Sequence, residues 1–312
     1  MNYRQLGKTD LKLSQVSYGA SPLGSVFRNI SEQEGIKTVH SALDLGINYL
    51  DVSPYYGDTV AETVLGKALK GISRDKYILS TKAGRYGPDF ADFDFSAQRI
   101  EASLDESCAR LGVNEVDILF LHDIEFADMR QVLEESIPCL LALKKAGRIR
   151  YAGVTGYPLK VFSEVISQYE IDCILTYCRY ALYDSSLTSI IPKLDEASVG
   201  IINASPTGMG ILTERGAPDW HPGNEQLKQA SLKAVSLCQS KGVDITALAL
   251  QFAIDHPSIA STLVGTANPA NIAKNVEWAS RQADAALVSE VQQIFADVPC
   301  TWPSGYEQNQ DR

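Results

Sequence analysis

Four ionisable side chains stand out by their type and their place. DVSPYYG carries Asp51 at the end of a short apolar run and Tyr56 five positions on; STKAGRYG carries Lys82, and LFLHDIE carries His122, each at the end of another such run. Taken singly, a strand-end Asp or Lys serves a structural ion pair as often as chemistry, and a lone His is more often a packed core residue. Three consecutive runs delivering such groups to one rim change that weighing. A tyrosine with its ordinary pKa near 10 is a poor acid or base at neutral pH, but a nearby ammonium favours the phenolate and lowers that value. Asp51 would hold the Lys82 ammonium in place, and the His122 imidazole would bond the phenol or orient a substrate oxygen. The four together make a proton-transfer unit aimed at a carbonyl or carbinol.

The elements that must position these groups recur along the chain. Strand-like runs at 16–19, 47–53, 77–82, 116–122, 150–156, 172–177, 199–206 and 261–266 alternate with helical spacing. Helices are expected from the N-cap Ser31, with Glu34 as a capping box, to Gly46, up to Leu69 with Gly71 as stop, from Ser96 to Leu111, from Met129 to Lys145, and from Pro158 as a first-turn residue. Others are expected near 186–197, 225–255 and 269–279. Eight apolar strands alternating with helices predict parallel strands joined by crossovers with both sheet faces covered. An open doubly wound sheet should show a G-x-G-x-x-G turn after its first strand, and none exists here. The reading is an α/β chain, a (β/α)8 barrel in one domain over 1–312, with an N-terminal β-hairpin around Gly7-Lys8-Thr9-Asp10 closing its bottom and a C-terminal tail. Active sites of such barrels lie at the C-terminal strand ends.

Composition narrows the partners. The chain has 312 residues and a net charge of −10, so it offers no broad positive field for nucleic acid or anionic membranes. No window approaches the roughly 18 apolar residues that span a bilayer, and the polar start MNYRQLGKTDLKLSQ lacks a signal or transit pattern. A cytoplasmic location and a small-molecule partner are expected. The six cysteines, Cys108, Cys139, Cys173, Cys178, Cys238 and Cys300, show no metal-ligand spacing and are read as buried reduced thiols, with no metal site.

At these residues the sequence resembles the aldo-keto reductases, over nearly all of its length. Asp51, Tyr56, Lys82 and His122 match that family's catalytic tetrad in order, each at its expected strand end, and GASPLGSVF, DVSPYYG, KAGRY, HDIEF, DITALALQ and TWPSG are similar to its plant-type L-galactose dehydrogenase branch. The resemblance implies oxidation of an aldose, with L-galactose first, at its anomeric carbon to a lactone, a reaction of ascorbate biosynthesis. Related branches acting on L-fucose or D-arabinose, an NADPH-dependent carbonyl reductase, and a non-catalytic nucleotide sensor are the alternatives. A monomer or weak homodimer is expected.

A barrel lacks the Rossmann turn, so the implied dinucleotide falls to loops and helix N-termini after strands seven and eight. NASPTGMGIL and VGTANPANIAKN fit. Implied cofactor contacts are Gly19, Ala20, Ser21, Asp51, Thr155, Tyr177, Ser205, Thr207, Gly208, Met209, Gly210, Leu212, Gly265, Thr266, Asn268, Asn271 and Asn275. NADP-using members generally place Lys or Arg after strand eight for the 2′-phosphate; here Thr266, Ala267, Asn268 and Asn271 stand there, which points to NAD, with Lys274 the one nearby cation. Thr155-Gly156 replaces the usual Ser-Asn pair, Tyr177 a usual Gln, and Ala204 the usual stacking aromatic, so Tyr177 is expected to supply the stacking ring. For the sugar, Tyr56, His122, Asp123, Arg85 and Trp220 are the expected contacts, with Glu125 and Tyr86 as further donors or acceptors. His221 and Trp302 are expected to wall the site or simply to pack.

Overall fold

Burial on both faces explains why the strand runs read as continuously apolar. In the computed structural model, which describes residues 1–26 and 28–311, a hairpin of β1 (Tyr3–Gln5) and β2 (Lys12–Ser14) precedes eight barrel strands. These are β3 (Val16–Gly19), β4 (Tyr49–Asp51), β5 (Ile78–Ala83), β6 (Val116–Leu121), β7 (Ile149–Gly156), β8 (Cys173–Tyr177), β9 (Gly200–Ala204) and β10 (Ile259–Gly265). All pair in parallel in chain order, and β10 closes the barrel against β3. Each expected strand is present. Phe27, the last residue of GASPLGSVF, lies outside the described residues.

Alternation along the strands sorts the interior into layers. Tyr49, Ile118, Phe120, Cys173, Leu175, Ile202 and Leu263 fill the lower barrel together with Leu6, Leu11 and Leu13 of the hairpin, which plug the bottom as expected. Further along five of the strands the same inward face turns polar, where Asp51, Lys82, His122, Thr155 and Tyr177 form the mouth, while β9, β10 and β3 end in Ala204, Gly265 and Gly19. The apolar plug therefore carries the chemistry-bearing layer at the opposite end.

Helix ends follow local hydrogen bonding where the sequence supplies it. Ser31 caps Glu32–Asp44 by accepting from the Glu34 amide at 3.2 Å, but the Glu34 carboxylate turns to Arg28 rather than completing a capping box. Ser96 caps Ala97–Leu111 in the same way. Four expectations shift. Pro158 is the N-cap of Leu159–Ile166 rather than its first-turn residue. The 225–255 helix divides into Glu225–Ser240 and Ile245–Asp255, because Gly242 takes a φ of +69° and Asp244 caps a new start. The 186–197 segment splits into a short 3-10 turn, Ser186–Ser189, and Ile191–Glu196, and Met129–Lys145 passes through a π-helical stretch at Val132–Ser136. A further helix, Ala285–Ile294, capped by Asp284, has no counterpart in the periodicity reading. Among the described residues no helix is long and apolar enough to cross a membrane. The cysteines are free thiols, four of them buried and Cys108 and Cys300 half-buried.

Two glycines hold the Tyr56 loop. Gly57 has a φ of +64°, and a Cβ there would overlap the carbonyl of Gly24; a Cβ on Gly24 would come within 2.5 Å of the Tyr56 carbonyl oxygen. Backbone therefore meets backbone beside the residue that closes the site. Gly71 shares a positive φ, +85°, but faces open space. Gly57→Ala should cost about 1–3 kcal/mol in urea unfolding and displace Tyr56, whereas Gly71→Ala should cost about 1 kcal/mol; equal losses would show that the Gly24 contact is unimportant.

Candidate active site

Strand pairing sets Asp51 beside Ser80 and Lys82 beside Phe120, so side chains of β4, β5 and β6 converge. Lys82 is 1% exposed, and its Nζ donates to Asp51 Oδ2 at 2.6 Å and to the Val52 carbonyl at 2.9 Å. Ser80 donates to Asp51 Oδ1 at 2.7 Å, and the Tyr49 hydroxyl lies 2.8 Å from Ser80 Oγ. Burial alone would discharge the ammonium. Asp51 and the Tyr56 phenol outweigh it, and the Lys82 pKa ends above its ordinary value.

Tyr56, on the turn after β4, places its ring 4.9 Å from Lys82 Nζ and meets the His122 ring edge-on at 5.8 Å. Its net pKa corrects the expectation drawn from Lys82 alone. Burial pushes the phenol up and the ammonium pulls it down, but Asp51 and Asp123 push up again, and the balance is about 12. His122 is driven the other way: burial is the main cause, Asp123 opposes it, and Lys82 and Arg85 add to it, leaving a value of about 3. The imidazole is therefore neutral near pH 7. Ser53 Oγ accepts the Tyr55 amide at 3.1 Å and stands 3.0 Å from His122 Nδ1. A hydroxyl that gives its proton to Nδ1 satisfies both groups and leaves Nε2–H as a donor into the mouth.

Asp123 follows in a left-handed conformation, φ +52°. Its Oδ1 accepts from Thr155 Oγ1 at 2.9 Å, its Oδ2 accepts from Arg85 Nη1 at 2.6 Å, and Oδ2 lies 3.7 Å from His122 Nε2. Burial works against this carboxylate, but His122 and Arg85 hold it below the usual range. The Arg85 guanidinium lies over Tyr55 at 4.1 Å, with Phe126 and Phe93 at 5.0 and 5.3 Å, and its buried Nε has no protein partner. An ion pair with donors to spare thus stands next to the His122 donor.

Several expected contacts lie elsewhere. Tyr86 turns away from the mouth: its hydroxyl accepts the Gly84 amide at 3.0 Å and Arg99 covers its ring at 4.2 Å. Glu125 is fully buried beneath the tail rather than facing a sugar. It accepts from Ser304 Oγ at 2.9 Å and from the Tyr157 amide at 3.1 Å, and burial with Asp123 nearby pushes its carboxyl up to about 8. Trp220 sits 53% exposed on its loop, whereas His221 and Trp302 are buried and meet edge-on at 5.3 Å.

The loops expected to hold a dinucleotide ring the same rim. Gly19 pairs with Asp51 and Gly265, and the Ala20 amide is spent on the Asp51 carbonyl at 2.8 Å; Ser21 opens the short turn Ser21–Gly24. After β9, Ser205, Gly208, Met209 and Gly210 all have positive φ. The loop curls so tightly that the amides of Gly208, Gly210 and Leu212 bond carbonyls within it, with Thr207 accepting two of the three, and the Leu212 side chain is buried. Those amides are not the open anion cradle expected of them. After β10, Gly265, Asn268 and Asn271 are exposed and Thr266 and Asn275 half-buried, while Asn268 caps Pro269–Trp278 by accepting from Ala270 at 2.9 Å. Thr266 Oγ1 lies 3.3 Å from Asn271 Nδ2. A ten-residue helix thus opens its N-terminus at the rim with an exposed amide side chain and no cation between Gly265 and Asn271.

Sequence reasoning missed the residues that brace the site: Ser53 behind His122, Tyr55 under Arg85, and the Ser80 and Tyr49 pair behind Asp51. Ser80 was within reach, since period two puts it on the face of Lys82.

Comparison with known proteins agrees with this architecture. The Aldo/keto reductase family profile matches residues 15–296. The chain is 47% identical to L-galactose dehydrogenase of Arabidopsis thaliana across 98% of both chains, and 29% identical to D-threo-aldose 1-dehydrogenase of a Pseudomonas species across 90% of this chain and 94% of that one. An aldo-keto reductase of Bacillus halodurans, solved in its holo form, superposes with a TM-score of 0.79 over the full length of both chains at 26% identity. With the barrel, the mouth and nine-tenths of its length matching, the chain belongs to the aldo/keto reductase family.

Proposed function

We propose that the protein is an NAD-dependent aldose 1-dehydrogenase that oxidises the anomeric carbinol of L-galactose to the 1,4-lactone. The observation that carries this reading is the mouth itself, where a phenol, a buried ammonium and a neutral imidazole donor converge. A nicotinamide, when bound, supplies the acceptor for the C1 hydride. Tyr56 takes the proton of the C1 hydroxyl, and the Lys82 ammonium, held by Asp51, stabilises the phenolate. His122 Nε2–H donates to the same substrate oxygen and orients it. Asp123 and Arg85 present an acceptor and a donor side by side, a pairing that suits neighbouring sugar hydroxyls. The relatives named for L-galactose and D-threo-aldoses support the substrate class. The uncharged stretch Gly265–Asn271 supports NAD, since a 2′-phosphate there would have only Lys274 as a nearby cation.

Initial rates with L-galactose, L-fucose, D-arabinose and L-glucose should give the highest kcat/KM for L-galactose with NAD+. A higher value with NADP+ would reject the cofactor assignment, and preference for carbonyl reduction by NADPH would favour a reductase instead. Tyr56→Phe should lower kcat by roughly 10²- to 10⁴-fold while NADH still binds; full activity in that variant would remove Tyr56 from the chemistry.

A phenol near 12 makes the working base scarce at neutral pH. Below that value the phenolate fraction grows about tenfold per pH unit, so kcat/KM for oxidation should climb without a plateau from about pH 7 to about pH 10. Lys82→Met removes the one group that pulls the phenol down and should lower the whole limb by at least about tenfold. A plateau near neutrality would point to another base.

A further inference from the structure

Ser53 is fully buried and lies two residues past Asp51, at the start of the turn that carries Tyr56. Its carbonyl accepts the Tyr56 amide at 3.1 Å, and the next carbonyl, of Pro54, accepts the Thr59 amide at 2.8 Å. Its hydroxyl oxygen accepts the Tyr55 amide at 3.1 Å and stands 3.0 Å from His122 Nδ1. His122 follows β6, the next strand but one in the barrel. One residue at the exit of β4 therefore holds both the backbone of the phenol and the ring of the imidazole.

The direction of the bond to Nδ1 follows from what else the two groups face. Were Nδ1 the donor, the hydroxyl would accept twice while its own proton went unused, and Nε2 would turn a lone pair toward Asp123 Oδ2, 3.7 Å away. With the hydroxyl as donor, Nδ1 is filled and Nε2 carries the proton. That proton has a rival acceptor. Carboxylates form stronger hydrogen bonds than neutral sugar oxygens, and Asp123 Oδ2 stands just beyond hydrogen-bond reach. Arg85 already occupies Oδ2 at 2.6 Å, yet a carboxylate oxygen takes two donors. A small rotation of an unanchored imidazole would close the gap. The rings of Tyr55 and Tyr56 meet the imidazole edge-on at 5.9 and 5.8 Å, but they bound its sides and hold neither nitrogen.

We infer that Ser53 is a positioning residue: its hydroxyl anchors His122 Nδ1 so that Nε2–H stays clear of Asp123 and points at the substrate oxygen. The substrate side of this inference rests on the dehydrogenase reading above; the ring side rests on the distances alone. As the C1 hydroxyl gives its proton to Tyr56, its oxygen gathers negative charge, so a donor aimed there acts in the transition state more than in binding.

Ser53→Ala removes the hydroxyl but keeps the carbonyl that holds Tyr56, so the phenol stays in place. In 15N–1H spectra of the histidine rings, with the His122 signals assigned by their loss in His122→Gln, the unaltered protein should carry the His122 proton on Nε2. Ser53→Ala should move the Nδ1 resonance to that of an unbonded ring nitrogen. The same variant should lower kcat for L-galactose oxidation by roughly 10- to 100-fold, with KM and NADH affinity changed by less than about twofold. Ser53→Thr, which keeps a hydroxyl, should restore both the resonance and the rate. An unchanged Nδ1 resonance in Ser53→Ala, a proton found on Nδ1 of the unaltered protein, or a loss falling on NADH affinity as heavily as on kcat would each overturn the inference. If the unaltered protein neither oxidised an aldose nor bound NADH, the dehydrogenase reading would fail, and the ring spectra would still decide whether Ser53 anchors His122.

Discussion

A charged ammonium buried in a barrel mouth is the constraint from which the rest of the site follows. Lys82 is enclosed, and a charge taken out of water is tolerated only when a partner and further hydrogen bonds replace its hydration. Asp51 and the Val52 carbonyl meet that demand at 2.6 and 2.9 Å, and Asp51 is itself braced by Ser80 and Tyr49. Three strands must therefore end in register, and the layer beneath must be dry and well packed. The hairpin plug and the aromatic and aliphatic lower barrel provide that floor.

The same field divides labour between neighbouring groups. The ammonium eases ionisation of the phenol and opposes that of the imidazole, but with burial added both Tyr56 and His122 are uncharged near pH 7, their pKa values moved in opposite directions. Burial dominates for both, and it acts in opposite directions because the charged form is the base of tyrosine and the acid of histidine. A phenol so placed can exchange a proton, whereas a neutral imidazole can only donate or accept a hydrogen bond. Asp123 and Arg85 extend the pattern outward as a pair held by Thr155 and an aromatic cage. The acidic balance of the whole chain is no obstacle to a dinucleotide, since helix N-termini and amide side chains attract phosphate without formal charge.

Much of this was legible in the sequence. Runs such as VDILFL and CILTY are continuously apolar because helices cover their outer face, and this separates a parallel barrel from an alternating sheet. The mouth residues were legible because period two projects strand-end polar side chains onto the inward face. Helix breaks were less so. At KGVD an apolar periodicity runs through the break, and only the pairing of a stop glycine with an N-cap aspartate marks it. Glu125 was misplaced because a carboxylate after His122-Asp123 reads as a rim charge, and nothing local says that a segment 179 residues away covers it.

Strand count, strand order, the polar mouth layer and the identity of its ionisable groups follow from composition, period and spacing, because each depends on residues close in the chain or on an alternation along the strands. The tertiary structure alone decides the charge states, since pKa values of buried groups are sums over neighbours from different strands. It alone shows which glycines carry a backbone collision at the site. It also shows that the tail, through Ser304 and Trp302, packs onto Glu125 and Tyr157. These are long-range contacts, and no local pattern encodes them.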